Sequence, residues 1–146
     1  MRKKRVWRYY CDFCKKAGCS SYHMKRHERR CTMNPNRVCG MCEIVGEAQP
    51  DLSELIKLLP NPKEYEGTWS MDGDEWISYS GLDEAVAAAL PALRDAANNC
   101  PACILAAIRQ AGIPVLVAIG FDVKAEWQKF WDAYNESQHD YPDNYY

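Results

Sequence analysis

Residues 9–42 read YYCDFCKKAGCSSYHMKRHERRCTMNPNRVCGMC and hold six of the chain's eight cysteines and two of its three histidines. Cys11 and Cys14 form a C-x-x-C pair, twelve residues separate Cys14 from His27, and three more separate His27 from Cys31. This spacing is typical of a zinc finger whose fourth ligand is Cys instead of His. The stretch therefore predicts one zinc site, with Cys11, Cys14, His27 and Cys31 as its ligands.

A second C-x-x-C pair, Cys39 and Cys42, closes the same stretch and cannot complete a tetrahedral zinc site alone. Its natural complement is the pair Cys100 and Cys103, which follows after an interval of 57 residues. Four thiolates from two such pairs make a tetrahedron of sulfurs. We therefore expect two zinc ions per chain, the second one tying the exit of the finger to the rest of the protein.

The amino terminus is basic but leads into a cysteine pair instead of an apolar segment, so no secretory signal peptide is predicted. No apolar run approaches the roughly 20 residues that a membrane span needs. Paired cysteines without a secretion signal favour metal binding over disulfides. We expect an intracellular location, in the cytoplasm or, in a eukaryote, in the nucleus, and no membrane partner.

Charge divides the chain sharply. Residues 1–42 contain twelve Lys and Arg against two acidic residues, whereas residues 43–146 contain six against eighteen. Such asymmetry predicts one end that binds a polyanion and one end that avoids it, although charges of both kinds also serve solubility. The domain prediction follows this division: residues 1–36 as a basic arm and zinc finger, and residues 37–146 as an acidic, mainly helical domain with the second zinc site.

Residues 9–31 resemble the ββα zinc fingers of the Cys-Cys-His-Cys kind. Beyond the ligand spacing, Tyr9 lies where that family carries an aromatic residue, and Met24 lies where it carries a core Leu. The chain departs from the family at Gly18, where a core Phe is expected, and Tyr22 or Phe13 is a candidate to fill that space.

The finger helix is expected to begin near Ser20-Ser21, which are good N-capping residues. His23, His27 and Cys31 are four residues apart and share a helix face, so His23 competes with Cys31 as the fourth ligand. A set with His23 leaves eight residues between the second Cys and the first His, shorter than the family uses. Cys31 is therefore favoured.

The resemblance implies contact with nucleic acid, DNA more than RNA, with helix positions Ser20, His23 and Arg26 facing the bases. A single finger covers only about three base pairs, and many single fingers bind proteins or simply hold structure. A protein-only adaptor or inhibitor stabilised by structural zinc is therefore the alternative. The thirteen predicted contact residues are Arg2, Lys3, Lys4, Arg5, Arg8, Lys15, Lys16, Ser20, His23, Lys25, Arg26, Arg29 and Arg30.

The acidic part is expected to bind a protein partner, and its elements can be placed coarsely. Asp72-Gly73 is a strong hairpin signal, and its strands carry Trp69 and Trp76, which predicts either a core or a partner-binding face. The other expected elements are a helix 52–59, a capping box at 80–83 opening a helix to 90, a kink or new helix from Pro91 to 97, a helix 102–111, a buried strand or linker over 112–120, and a last helix 123–137.

A rival interpretation concerns Cys100 and Cys103, because a C-P-x-C opening a helix resembles the active sites of thioredoxin-like oxidoreductases. A strand should precede the pair there, whereas an Ala/Leu-rich helix is expected here. A thiol oxidoreductase is therefore a distant alternative. No nucleotide-binding loop and no nucleophile with an adjacent base is recognisable, so neither an enzyme nor a small-molecule substrate is predicted.

Taken together, the sequence predicts a helix-rich α+β protein. An N-terminal zinc finger would be joined through a four-cysteine zinc site to a small, mainly helical domain with one β-hairpin. The combination of finger, Asn-Pro-Asn turn, second C-x-x-C and C-P-x-C opening an apolar helix resembles small uncharacterised zinc proteins of tailed bacteriophages, a likeness that implies no activity.

Overall fold

The helix at the centre of the fold is Pro101–Gln110, which is apolar from Pro101 to Ile108. In the computed structural model, which describes residues 1–139, every residue from Pro101 to Ile108 is buried. A helix that is apolar on all sides is stable only when it is covered on all sides. The core surrounds it with buried residues of the neighbouring helices, among them Leu55, Leu82 and Leu93.

The chain is a helix-rich α+β protein, as predicted. Two short antiparallel hairpins and six α-helices make up the regular structure of the described residues. None of these helices is both long and apolar enough to cross a membrane. In chain order the elements are β1 (Tyr9–Tyr10), β2 (Ala17–Gly18), α1 (Ser21–Arg30), α2 (Gly40–Val45), α3 (Leu52–Lys57), β3 (Glu66–Met71), β4 (Asp74–Tyr79), α4 (Leu82–Ala96), α5 (Pro101–Gln110) and α6 (Val123–His139).

The first three elements form the predicted ββα unit. Ser20 caps α1, its side chain accepting a hydrogen bond from the backbone N–H of His23. The expectation that Tyr22 or Phe13 replaces the family's core Phe is wrong, because both side chains are exposed. Met24 is buried instead, and a Cβ added at Gly18 would lie 3.3 Å from its sulfur, so the glycine makes room for the methionine.

Between the second hairpin and α5, the structure corrects one expectation and narrows another. The capping box at 80–83 does not form, because α4 begins after Gly81, whose backbone has φ of 78° and whose position supplies no side-chain cap. Of the two alternatives at Pro91, a kink or a new helix, the new helix is excluded, because α4 continues through the proline with Leu90 and Leu93 both buried in the core.

Residues 112–120 contain no strand. They form a connection with a single turn of 3₁₀-helix at Val115–Val117, and Leu116 in that turn is almost fully exposed. Asp122 then caps α6 as predicted, its carboxylate accepting hydrogen bonds from the backbone N–H groups of Lys124 and Ala125.

The end of the ββα unit is fastened to the central helix by side chains from the last turn of α5. The side-chain amide of Gln110 donates to the carbonyl oxygens of Thr32 at 2.7 Å and of Asn34 at 3.0 Å. The guanidinium of Arg109 donates to the hydroxyl of Thr32 at 2.8 Å. The finger and the helical part therefore share a hydrogen-bonded joint.

We predict that Gln110→Ala lowers the free energy of unfolding by about 1–3 kcal/mol, because two partly buried carbonyl groups lose their donor. Urea unfolding of the zinc-loaded protein, followed by circular dichroism, measures the change. Gln128→Ala is the matched control, since Gln128 is exposed and donates only to Asp132. An equal change in the free energy of unfolding for the two variants would contradict a specific contribution from the hydrogen bonds of Gln110.

Candidate metal centres

The first centre lies between the β1–β2 hairpin and helix α1. Cys11 and Cys14 come from the turn after β1, His27 from the last turns of α1, and Cys31 from the residue that ends this helix. Their ligand atoms all lie within 4.8 Å of one another, and Cys14 Sγ is 3.2 Å from His27 Nε2. The structure thus brings together the four residues predicted from the spacing.

Backbone hydrogen bonds hold this turn in place. The N–H of Cys11 donates to the carbonyl of Lys16 at 2.9 Å, and the N–H of Lys16 donates to Cys14 Sγ at 3.5 Å. Glu28, on the opposite side of the centre, accepts from the N–H of Asp12 at 3.0 Å and, through its carbonyl, from the N–H of Cys31. The hairpin turn and the helix end are therefore fixed relative to each other.

The donor set fits zinc. Zn–S bonds of about 2.3 Å and Zn–N bonds of about 2.0 Å place tetrahedral ligand atoms about 3.5–3.8 Å apart, close to the separations seen here. Burial and the positive charge of Lys16 lower the pKa of His27, which favours the neutral imidazole that binds metal. Burial raises the pKa of the Cys31 thiol to about 11.

The question of the fourth ligand is settled by position. Cys31 is buried within the group, whereas His23 is exposed and outside it. Cys19, the remaining cysteine of the stretch, is also exposed and belongs to neither group.

The second centre joins the starts of two helices. Cys39 is the residue before α2 and Cys100 the residue before α5, while Cys42 and Cys103 lie in the first turns of those helices. All four are at most 5% exposed, and their sulfurs lie within 4.8 Å of one another. Cys39 Sγ is 3.5 Å from Cys100 Sγ, and Cys42 Sγ is 3.7 Å from Cys103 Sγ, which fits a tetrahedron around zinc.

The four thiols titrate as a set. Hydrogen bonds from Cys100 and then from Cys103 hold the pKa of Cys39 far below its usual range, so the first thiolate forms there. Burial, with the negative charge of its neighbours, raises the pKa of Cys42 to about 12, and hydrogen bonding to Cys100 and Cys39 together with burial raises that of Cys103. A zinc ion, which needs all four as thiolates, must therefore displace protons when it binds.

Arg37 supplies a buried positive charge beside the second centre. The residue is 5% exposed, and its Nη1 donates to Cys103 Sγ at 3.8 Å. Zinc with four thiolates carries a net charge of about −2, which is costly to bury without a compensating cation. This role could not be predicted from the sequence, because the position of Arg37 two residues before a cysteine was its only signal.

Gln49 is a second supporting residue that the sequence did not reveal. Its side chain accepts a hydrogen bond from the backbone N–H of Cys39 and donates to the carbonyl of Arg37 at 2.9 Å. The amide thereby clamps the backbone that carries both the first ligand and the arginine. Nothing in its sequence neighbourhood distinguishes it from an ordinary loop glutamine.

Each of the two groups can hold one zinc ion. In each, four protein ligands would occupy all four positions of a tetrahedral site. A closed site of this kind leaves no position for substrate or water, and it serves structure. Zinc ions bound there would act as cross-links: one would join the β1–β2 hairpin to α1, and the other would join the starts of α2 and α5.

Most of the predicted nucleic-acid residues are exposed. This holds for the whole arm over residues 1–8 and for Lys15, Lys16, Lys25 and Arg26. Of the predicted base-reading positions, His23 and Arg26 line a shallow depression of about 400 Å³ that also includes Lys16. The third, Ser20, is half-buried and engaged in capping α1.

Arg29 and Arg30 differ from the other basic residues because both reach the same carboxylate. Arg30 donates to Glu43 at 3.1 Å and Arg29 at 3.5 Å, which links α1 to α2. These pairs are exposed, and such pairs contribute little to stability. They do give both arginines a partner within the chain.

In comparisons with known proteins, no family model, no curated protein and no solved structure matches this chain. Its fold and its two four-ligand groups therefore define it as a helix-rich α+β chain able to hold two zinc ions.

We predict two zinc ions in the purified protein by elemental analysis, and one in both Cys100→Ser and Cys39→Ser. Each substitution leaves three ligands at the second centre and leaves the first centre intact. The double variant should differ little from either single variant, because all three lose the same site. Cys19→Ser is the matched control and should keep both ions. Loss of both ions from Cys39→Ser, with none lost from Cys100→Ser, would contradict the pairing.

We predict that Arg37→Met releases zinc to a chromophoric chelator about 10–100 times faster than the parent protein, because the buried thiolates lose their compensating charge. Arg37→Lys should release it at an intermediate rate, since the charge is kept and the planar donor group is lost. Arg94→Met, which removes a half-buried arginine paired with Glu126, is the control. Indistinguishable rates for Arg37→Met and Arg94→Met would exclude a specific effect.

Proposed function

We propose that this is a two-zinc protein that contacts nucleic acid, DNA more than RNA, through residues 1–42, and a protein through its acidic part. Both metal centres act as structural cross-links in this proposal. The first would hold helix α1 against the β1–β2 hairpin. The second would hold the segment that follows the finger, at Cys39 and Cys42, against the start of α5.

The observation that carries the nucleic-acid half is the accumulation of exposed cations at one end of the chain. Residues 1–42 contain twelve Lys and Arg against two acidic residues, and all of residues 1–8 are exposed and outside helices and strands. An exposed basic arm beside a basic helix is what a phosphate backbone attracts. The arm would follow a groove or a phosphate track while the helix approaches the duplex.

The orientation of α1 supports the same proposal. Met24 and His27 turn toward the hairpin and the first centre, whereas Lys25 and Arg26 are exposed. The metal and Met24 therefore anchor one side of the helix and leave its basic side accessible. A basic helix on a rigid support is suited to the major groove, where His and Arg donate to guanine acceptors.

Glu43 distinguishes Arg29 and Arg30 from the other basic residues of the proposed interface. Because it already accepts from Arg29 and Arg30, these two arginines must exchange a carboxylate for a phosphate if they join the interface. We therefore assign the first phosphate contacts to the arm and to Lys15 and Lys16. Arg29 and Arg30 would contribute a smaller gain.

The protein-only adaptor or inhibitor is the second candidate, and one observation favours it. Trp69 and Trp76 are about half exposed on the second hairpin, far along the chain from the basic end. A thiol oxidoreductase using Cys100 and Cys103 is less favoured, because a reactive thiol needs access and both thiols are buried within the four-cysteine group.

We predict salt-sensitive binding to duplex DNA, with log K falling by about 0.9 per log unit of salt for each phosphate contact. Replacing Arg2, Lys3, Lys4 and Arg5 with Ala should weaken binding to all sequences alike and reduce that slope. Fluorescence anisotropy at several salt concentrations, with DNA and RNA duplexes of matched length, measures both effects.

The matched control removes four exposed lysines from the acidic part: Lys57, Lys63, Lys124 and Lys129, each to Ala. It should leave the affinity within about twofold, because a cation far from the interface is screened by salt. Undetectable binding of the parent protein to DNA and RNA at about 50 mM salt would favour the protein-only adaptor.

A further inference from the structure

The hairpin of β3 and β4 is exposed on both faces. Eleven of its twelve strand residues are exposed, and Tyr79 at its end is half-buried. Within the described chain the two strands pair only with each other, so both outer edges are open. A two-stranded hairpin without a covered face is marginally stable in water. The physical expectation is that a partner covers it.

One face of this hairpin is apolar at its centre. Trp69 and Trp76 are directly opposite in the register, and their rings stack with centroids 6.1 Å apart at 24°. They are 50% and 52% exposed, and Met71 on the same face is 60% exposed. Strand residues alternate between faces, so these three share their face with Asp74, the register partner of Met71. We call these four residues the Trp face.

The surroundings of the Trp face are uniformly acidic. Residues 64–93 contain seven Asp and Glu and no Lys or Arg. Four of these acids belong to the hairpin itself, and all four are exposed: Glu66, Asp72, Asp74 and Glu75. Asp74 shares the face of the two aromatic rings and Asp72 lies in the adjoining turn, whereas Glu66 and Glu75 lie on the opposite face. No Lys or Arg within that stretch neutralises them, so the hairpin as a whole is negative.

We infer that the Trp face binds a Lys- and Arg-rich segment of another protein. The inference rests on the protein-binding half of the proposed function and names its surface and the chemistry of its partner. The stacked indole rings attract a cation through their electron-rich faces, and Trp is the best aromatic residue for this contact. The carboxylates supply the complementary charge, which steers the partner and fixes its position.

Charge argues against the other occupants of an aromatic surface. Nucleic-acid bases also stack on exposed aromatic rings, but their phosphates would meet the carboxylate of Asp74 on this face and that of Asp72 in the adjoining turn. An anionic lipid surface is repelled for the same reason. A guanidinium gains from both features at once, since it stacks on an indole and pairs with a carboxylate in a planar geometry.

The test uses the zinc-loaded full chain and a fluorescein-labelled octa-arginine peptide, with octa-glutamate as the charge control and fluorescence anisotropy as the readout. Octa-arginine should bind, and the double variant Trp69→Ala/Trp76→Ala should bind it about tenfold more weakly through lost cation–π contacts. Trp7→Ala, which removes an exposed tryptophan from the basic arm, should leave the affinity unchanged.

Two further pairs of variants separate this effect from a folding defect. Trp69→Phe/Trp76→Phe keeps two aromatic rings and should recover part of the affinity. Asp72→Asn/Asp74→Asn keeps the shape of the turn and should weaken binding about threefold or more. Its control is Glu47→Gln/Glu136→Gln, which removes the same charge from exposed positions outside the hairpin.

Four results would overturn the inference. Two concern affinity for the peptide: equal binding of octa-arginine and octa-glutamate, and an octa-arginine affinity that Trp69→Ala/Trp76→Ala leaves unchanged. The third is an equal loss of octa-arginine affinity in the hairpin charge variant and its control. The fourth is self-association of the full chain, measured by sedimentation, that the alanine double variant abolishes. The last result would assign the surface to a second copy of this chain.

DNA binding by the same proteins separates this inference from the nucleic-acid proposal. The Trp-face variants should keep the parent's DNA affinity, and the variant without Arg2, Lys3, Lys4 and Arg5 should keep or increase its affinity for octa-arginine. Weaker DNA binding by the alanine double variant would place nucleic acid on the Trp face and overturn the inference. Peptide binding that persists without DNA binding would leave it standing and remove the nucleic-acid half.

Discussion

Four buried thiols constrain the whole structure, because their metal ion would tie the starts of two helices separated by 57 residues of chain. One of those helices, α5, is the centre of the core, so the second zinc centre and the core share an element. Closing so long a loop lowers the entropy of the unfolded chain. A structural zinc site contributes about 10–16 kcal/mol, which is comparable to the net stability of a whole domain. Arg37 beside Cys103 lets this much negative charge lie inside the protein.

Hydrogen bonds near the second centre also link the basic part of the chain to the acidic part. The turn after the finger is held by Asn34, whose side-chain amide donates to the carbonyl of Glu28 at 2.8 Å and whose backbone carbonyl oxygen accepts from the side-chain amide of Gln110 at 3.0 Å. The chain therefore passes from Cys31 of the first centre to Cys39 of the second through a hydrogen-bonded turn. The basic part and the acidic part of the chain are therefore joined by hydrogen bonds through this turn.

Much of this arrangement could be predicted because the chemistry demands local patterns. A tetrahedral zinc site needs four donors, and a C-x-x-C pair supplies two of them at a fixed spacing. Both ligand sets were therefore predictable, including the second one, whose two pairs lie far apart in the sequence. The dipeptide Asp72-Gly73 was sufficient to predict the second hairpin, because the turn requires a positive φ at both residues. Their φ angles are 53° and 89°. Pro91 left a kinked helix and a new helix as alternatives, and the burial of residues on either side of it decided for one continuous helix.

The sequence by itself determined which residues can bind metal, where the turns occur and how charge is divided, because each of these depends on residue type and short-range spacing. Only the tertiary structure decided that Cys31, and not His23, joins Cys11, Cys14 and His27 in one group, because Cys31 is buried beside them and His23 is exposed. It also decided that Arg37 is buried beside a thiolate and that Trp69 and Trp76 are exposed together instead of buried in the core. Burial depends on which distant elements pack together, and no local pattern encodes that choice.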